Sequence, residues 1–397
     1  MEECLRNYKL MIYRDIKILI LQRILPHYRA GFFEKLKTDF PFLKILYGNP
    51  YQGESLKNHV NPDKNIFSFA ENIYFGKSGK IFISGIYKTL FQFKPEAVIS
   101  VFNAGNLNLY ILLILRVFLK FKLILWSFGY DPVRGYNPDN SFTDKLRLYL
   151  SNRADAVIFY WEEGKKEAEK YSVKSEHFFV APNTLDTDRQ IEIKKMLDLR
   201  GKNSIKDELC VKEKFHFVYI GRFLKDKQID FLIKAFAEIE LRYENVRLTL
   251  IGDGPEYANL KKLCTELELK KVFFMGEILE EESTGKWIYI SDAFLIPGRL
   301  GLSVVHSFCF GTPVISQHKE SYFHGEGVGY IKDGINGYLT VDGNVNDFAE
   351  KIIRLISDSE HSALLRKNSL KTIEEECSVG KMKKGFRDAI EYAVNKH

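Results

Sequence analysis

The chain has 397 residues, 58 of them Lys or Arg against 52 Asp or Glu, and is 45% hydrophobic and 14% aromatic. That length exceeds one ordinary core and suits two α/β domains of roughly 150 to 200 residues each, while the apolar content excludes an intrinsically disordered chain. The longest greasy stretch, Leu107 to Leu119, contains Arg116 and is shorter than the roughly 18 uncharged residues a membrane span requires.

The residues from Met1 to Asp15 mix both charges and carry no signal-peptide core. Strands are then expected at Ile16–Gln22, Leu43–Tyr47, Ala97–Val101, Lys122–Trp126, Ala156–Phe159 and Phe178–Ala181, with amphipathic helices such as Asn106–Leu119 and Thr143–Arg153 between them. This alternation predicts parallel sheets covered by helices on both faces. From Thr187 to Lys214 charge rises and hydrophobic alternation fades, so 187–214 reads as a linker between domains 1–186 and 215–379. A second series follows, with strands at Phe215–Ile220, Val246–Ile251, Val272–Phe274, Ala293–Ile296 and Pro313–Ser316. Helices are expected at Ile229–Leu241, Pro255–Leu267 and Ser303–Phe310. The helical segment 380–397 is expected to fold back on the first domain.

Cys4, Cys210, Cys264, Cys309 and Cys377 are far apart and form no CxxC or metal-ligand spacing, which fits reduced thiols and a cytoplasmic protein without a metal site. Lys and Arg cluster beside aromatics at Lys77–Lys80, Lys88–Phe93 and Arg116–Lys122. Such stretches suit contact with anionic lipid headgroups at the inner face of a membrane, and equally a solvated basic surface. No nucleic-acid-binding motif accompanies the charge.

Gly221-Arg222 directly follows a strand, and Lys227 lies just before an amphipathic helix. Two cations at the carboxyl edge of a parallel sheet can neutralise a diphosphate and stabilise the charge on it as it leaves; the competing reading is a solvated loop. Ile251-Gly252-Asp253-Gly254-Pro255 is a strand-turn-helix signature whose structural role suffices to explain it. In the run from Pro297 to Ile315, Gly298-Arg299-Leu300-Gly301-Leu302-Ser303 enters a helix whose first N–H groups suit a phosphate. His306 lies about one turn inside, able to reach a ribose hydroxyl or, alternatively, to be a hydrogen-bonded core histidine. Asp333-Gly334-Ile335-Asn336-Gly337 reads as a turn without a catalytic role.

The ordered set Gly221-Arg222…Lys227, Ile251-Gly252-Asp253-Gly254-Pro255, Gly301-Leu302, Gly311-Thr312-Pro313-Val314-Ile315 and Asp333-Gly334…Asn336-Gly337 resembles glycosyltransferase family 4 from about Phe215 to Ile356. The first half is similar more loosely, through Pro26-His27-Tyr28-Arg29, Trp126-Ser127-Phe128-Gly129-Tyr130-Asp131 and Ala181-Pro182-Asn183-Thr184. The resemblance implies a GT-B fold of two Rossmann-like domains facing an interdomain cleft, and a retaining, metal-independent transfer from a nucleotide-diphosphate sugar used as co-substrate. Arg222 and Lys227 would hold the diphosphate, with Gly221, Arg299, Gly301, Leu302, Ser303 and His306 also binding the donor. His27, Tyr28, Arg29, Gly129, Tyr130 and Asp131 would face the acceptor, a saccharide or lipid-linked oligosaccharide of bacterial surface polysaccharide, capsule or lipopolysaccharide synthesis.

Two departures stand out. The family's Glu-x7-Glu pair falls on Gly298 and His306, and its central His-Gly is Phe128-Gly129. Two alternatives therefore stand beside the transferase: a non-catalytic nucleotide-sugar-binding subunit, and a nucleotide-sugar epimerase on the same fold.

Overall fold

A computed structural model describes residues 15–54, 57–76, 79–103, 105–130, 135–318 and 324–395. The chain divides into two units, Met1–Asp186 with Val379–His397, and Thr187–Ser378.

The first unit is built on a parallel seven-stranded sheet in the order β3-β2-β1-β6-β7-β8-β9. Its strands are β1 (Ile18–Gln22), β2 (Leu43–Tyr47), β3 (Phe67–Phe69), β6 (Ala97–Val101), β7 (Lys122–Ser127), β8 (Ala156–Phe159) and β9 (Phe178–Val180). β1 and β8 are buried along their whole length, as a sheet covered on both faces demands. One face is covered by α1 (His27–Lys37) and by α14 (Val379–Asn395), whose Met382, Phe386 and Ile390 join Phe32, Phe33 and Trp126 in one core. The carboxyl-terminal helix thus belongs to the first unit. The other face is covered by α2 (Ile86–Phe93), α3 (Leu107–Leu119), α4 (Phe142–Arg153) and α5 (Glu162–Glu169). Asn106 caps α3 by accepting from the Asn108 N–H at 3.2 Å. An antiparallel hairpin, β4 (Asn72–Phe75) and β5 (Lys80–Ile83), stands apart from the main sheet. Its strands are too short, and its burial too mixed, for the pattern to have been read from hydrophobicity alone.

The second unit carries a parallel six-stranded sheet in the order β12-β11-β10-β13-β14-β15. The strands are β10 (Phe215–Ile220), β11 (Val246–Ile251), β12 (Val272–Gly276), β13 (Ala293–Ile296), β14 (Val314–His318) and β15 (Gly337–Val341). Numbered from β10, this is the 3-2-1-4-5-6 order, in which strand order reverses between β10 and β13 and opens a crevice at their carboxyl ends.

The stretch expected as a linker is helical instead. α6 (Thr187–Arg200) and α7 (Lys202–Glu208) bury Ile193, Leu197 and Ile205 within the second unit, so 187–214 is part of that unit's core packing. The buried side chains are few among many charges, and they hid the helical stripe. The remaining helices are α8 (Ile229–Glu240), α9 (Tyr257–Glu266), α10 (Glu281–Ile290), α11 (Ser303–Cys309), α12 (Val345–Ser357) and α13 (Ser359–Thr372).

Behind the crevice, at the amino ends of β10 and β13, lies a closed polar network. The His216 ring sits 2.8 Å from Ser291 Oγ and 2.9 Å from Thr249 Oγ1, and the Asp292 carboxylate accepts from the His216 N–H at 2.9 Å and from Lys202 Nζ at 3.0 Å. Burial pushes His216 well below its ordinary pKa. Each buried polar group here has a partner, so the network fixes the register of β10 against β13.

Candidate functional site

The site is assembled from the loops that leave β10, β11 and β13, together with the last residues of β14. After β10 the chain turns at Gly221, and Phe223 drops into the core, stacked on Tyr257 with ring centroids 6.0 Å apart. That anchor leaves Arg222 exposed between two fixed neighbours. Tyr219 Oη donates to the Arg222 carbonyl at 3.1 Å and holds its backbone, while burial pushes the Tyr219 phenol up and keeps it a neutral donor. The loop after β11 is laced to the same segment by Phe223 N–H to the Asp253 carbonyl, 2.9 Å, and Glu256 N–H to the Phe223 carbonyl, 3.1 Å. At Gly252 φ is +143° and a Cβ would stand 1.9 Å from the Gly221 carbonyl oxygen, which is why glycine occupies this turn.

Next comes a single 3-10 turn, 225–227, that brings Lys227 against the loop after β13. Lys227 Nζ donates to the Arg299 carbonyl at 2.6 Å, and the Arg299 N–H donates to the Asp226 carbonyl at 2.9 Å. The Arg299 guanidinium lies 3.7 Å from the Asp226 carboxylate. Gln317, at the end of β14, donates to Pro297 O at 2.7 Å and to Gln228 Oε1 at 2.8 Å, and accepts from the Gly343 N–H at 2.6 Å. One buried amide therefore ties together the loops after β10, β13 and β15.

Among the described residues three cations, Arg222, Lys227 and Arg299, converge here against one carboxylate, Asp226. The field is legible in Lys227, whose pKa is pulled below the usual lysine range by partial burial and by repulsion from Arg299 and Arg222, with Asp226 opposing. An anion would relieve that repulsion. The arrangement can bind a doubly charged phosphate group with its cations already in place.

Gly298 has a packing reason. A Cβ there would lie 2.3 Å from the Asp226 carbonyl oxygen and 2.4 Å from the Lys227 carbonyl carbon. A glutamate in the family's first position thus conflicts with the backbone that carries Lys227. His306, in the second position, is half-buried with its ring against Phe310 at 5.7 Å, and its Nε2 is enclosed without a hydrogen bond among the described residues. Desolvation lowers its pKa to about 4, so the ring is neutral at physiological pH. Gly301, where an added Cβ would meet nothing, and Leu302 precede α11, which has seven residues beginning at Ser303.

The expected acceptor residues of the first unit are scattered in character. His27 opens α1 and is exposed, its Nδ1 2.9 Å from His59 Nδ1. Tyr28 is half-buried beneath the neighbouring guanidinium. Arg29 departs from expectation: it is buried at 5% exposure, donates to Asn183 Oδ1 and to Met382 Sδ, and lies 5.1 Å over the Trp126 ring. It clamps α1 to α14 rather than facing solvent, because its helical position points inward with Phe32 and Phe33. Gly129 donates to Ser127 Oγ at 2.9 Å. Phe128 and Tyr130 pack on Trp161, at 5.0 and 5.9 Å, and burial, reinforced by Glu167 and Glu163, pushes the Tyr130 phenol up to about 12. Asp131 lies outside the described residues. Sequence reasoning missed Asp226 and Gln317, whose roles depend on which loops meet.

Residues 202–372 match the family model described as glycosyl transferases group 1. Over this segment, which is less than half of the chain, the sequence is similar to the group 1 glycosyltransferases. An uncharacterised glycosyltransferase of Methanocaldococcus jannaschii is 27% identical over 58% of this chain and 57% of its own length. The lipopolysaccharide core biosynthesis glycosyltransferase LpsE of Rhizobium meliloti is 30% identical over 39% of this chain and 43% of its own. The chain thus matches about half the length of these relatives. The crystal structure of Anabaena HepE in complex with UDP superposes with a TM-score of 0.67 at 18% identity, covering 94% of this chain and 99% of that one. The two-sheet architecture is the GT-B fold. Among the described residues no group of three or more His, Cys, Asp or Glu is placed to hold a metal ion, and no helix is long and apolar enough to cross a membrane.

Proposed function

We propose that the protein transfers a hexosyl group, with retention of configuration and without a metal, from a nucleotide-diphosphate sugar to a saccharide acceptor. The observation that carries this reading is the convergence of Arg222, Lys227 and Arg299 at the carboxyl ends of β10 and β13, where the strand order of the second sheet reverses. Arg222 and Lys227 bind the diphosphate and stabilise the charge that builds on its oxygen as the bond to the anomeric carbon breaks. The acceptor hydroxyl attacks on the face the diphosphate leaves, forming a new C–O bond, and its proton passes to the departing phosphate oxygen. Positioning and charge stabilisation suffice for this course, so neither Gly298 nor neutral His306 has to act as a base. His306 lies in the helix behind the Gly301–Ser303 turn, which carries the remaining donor contacts.

The acceptor in this reading is lipid-linked and belongs to surface polysaccharide or lipopolysaccharide assembly. Two features favour a membrane surface. α3 presents Ile114, Val117 and Phe118 at 63%, 71% and 74% exposure, an i, i+3, i+4 apolar stripe. On the same face of the sheet α2 exposes Tyr87 and Phe91, with exposed Lys88, Lys94 and Lys120 alongside. Apolar side chains rimmed by lysines suit an anionic bilayer interface. The deciding experiment is nucleotide release from a panel of UDP- and GDP-sugars with and without acceptor, in the natural chain and in Arg222→Ala and Lys227→Ala. Tight donor binding without turnover for any acceptor would instead support the non-catalytic subunit, and product formation without an acceptor the epimerase.

A further inference from the structure

The first unit contains a cavity of about 570 Å³ that none of the motifs above accounts for. It lies beyond the carboxyl ends of β1 and β6, the adjacent central strands where the order of the first sheet reverses. Its volume is within the range of about 300–1,000 Å³ usual for small-molecule sites. Leu21 and Val101 from the sheet and Ile81 and Ile83 from the hairpin give it apolar walls. Tyr51 and Tyr74 meet edge to face at its side, with ring centroids 5.2 Å apart and planes at 81°.

The hairpin wall is fixed by Asn72, which is buried and donates to the Arg23 carbonyl at 2.6 Å and the Asn49 carbonyl at 2.7 Å. Tyr74 Oη donates to the Asn49 carbonyl at 2.8 Å. The aromatic side is therefore positioned before any ligand arrives.

Charge then selects the occupant. Among the described residues the cavity is lined by one cation and one anion, Arg23 and Glu54, joined by two parallel bonds of 2.5 and 2.6 Å. Glu54 shields Arg23 from an anionic ligand, and Arg23 holds both carboxylate oxygens against a cationic one. A purely apolar ligand would strip water from that pair without replacing its hydrogen bonds. A neutral sugar ring meets both demands, with a C–H face for the tyrosines and hydroxyls for Glu54, Arg23 and Asn103, while an attached apolar group covers the aliphatic walls.

We infer that this cavity binds the acceptor as an uncharged glycoside with an apolar aglycone, its sugar against Tyr51, Tyr74 and the Arg23–Glu54 pair and its apolar group against Leu21, Ile81 and Val101. The inference deepens the glycosyltransferase reading and rests on it for the word acceptor.

Calorimetric titration of the full chain with n-octyl glucoside below its micellar concentration, with glucose and with octyl phosphate tests it. Octyl glucoside binds the natural chain, and glucose and octyl phosphate bind at least about tenfold more weakly, since each lacks one of the two matched contacts. Tyr51→Ala, at an exposed position, and Glu54→Gln each weaken octyl glucoside about tenfold or more, and Glu54→Gln, by uncovering Arg23, strengthens octyl phosphate. Glucose as tight as octyl glucoside would remove the apolar half of the assignment; no binding of octyl glucoside, or equal binding to both variants, would overturn it. UDP titration of the same variants separates the two readings: UDP affinity is unchanged in both, whereas a natural chain that binds octyl glucoside and no nucleoside diphosphate leaves the cavity standing and sinks the donor site.

Discussion

Replacing Lys227 with methionine separates the contribution of this side chain to folding from its contribution to the reaction. Among the described residues Lys227 makes one hydrogen bond, to the Arg299 carbonyl at 2.6 Å, worth about 1 kcal/mol net. Against it stand partial desolvation and repulsion from Arg299 and Arg222. The two effects oppose each other, so Lys227→Met leaves the melting temperature of the free chain near its natural value. The sign of the pH dependence follows from the depressed pKa. The unfolded chain binds more protons at residue 227 between the folded value and the usual lysine value, so stability rises with pH through that alkaline window, and the methionine variant lacks the rise. With a diphosphate bound the balance reverses. A charge-assisted hydrogen bond to a phosphate oxygen contributes about 1.5–3 kcal/mol, and loss of one donor to developing charge lowers kcat about 10²–10³-fold. Scanning fluorimetry with and without UDP, together with nucleotide-release kinetics, reads both quantities. A variant that folds normally, keeps the natural UDP-induced shift and retains kcat/KM within about threefold would refute the donor site at β10 and β13.

Arg29→Ala deletes the clamp between α1 and α14, leaving Asn183 and the Trp126 face without their cation; urea unfolding should show a loss of about 2–4 kcal/mol. Activity per folded molecule should change little. Gly298→Glu restores the family's carboxylate and nevertheless lowers both stability, by about 1–3 kcal/mol, and nucleotide affinity, because the new Cβ displaces the 225–227 turn. A gain of activity in that variant would contradict the packing account. His306, with its pKa near 4 against an ordinary 6.5, binds no proton in the folded state between those values while the unfolded chain does, so stability falls as pH drops through that window. His306→Leu should flatten part of that acid limb, leaving the share that His216 contributes; superimposable melting curves from pH 7 to pH 4 would exclude the assignment.

Most of the frame was legible in the residues. Buried parallel strands are continuous apolar runs, and so the sequence places β2, β6, β8, β10, β11 and β13 with the limits they have in the structure. The hairpin of β4 and β5 was not, because Ile73 and Phe75 face outward and leave no alternation to read. The supposed linker was misjudged for a similar reason: α6 and α7 bury only a few aliphatic side chains beneath many charges.

What the sequence determined by itself was local: which stretches are strands, which turns need glycine, and that cations follow β10. Strand order, a property of the whole sheet, decided that the loop of Lys227 lies beside that of Arg299. It also decided that Gly298 leaves no room for a carboxylate and that Arg29 points inward. These facts depend on distances between segments some 70 to 350 residues apart, and such distances are set by which apolar faces bury one another, a collective energy that no single motif carries.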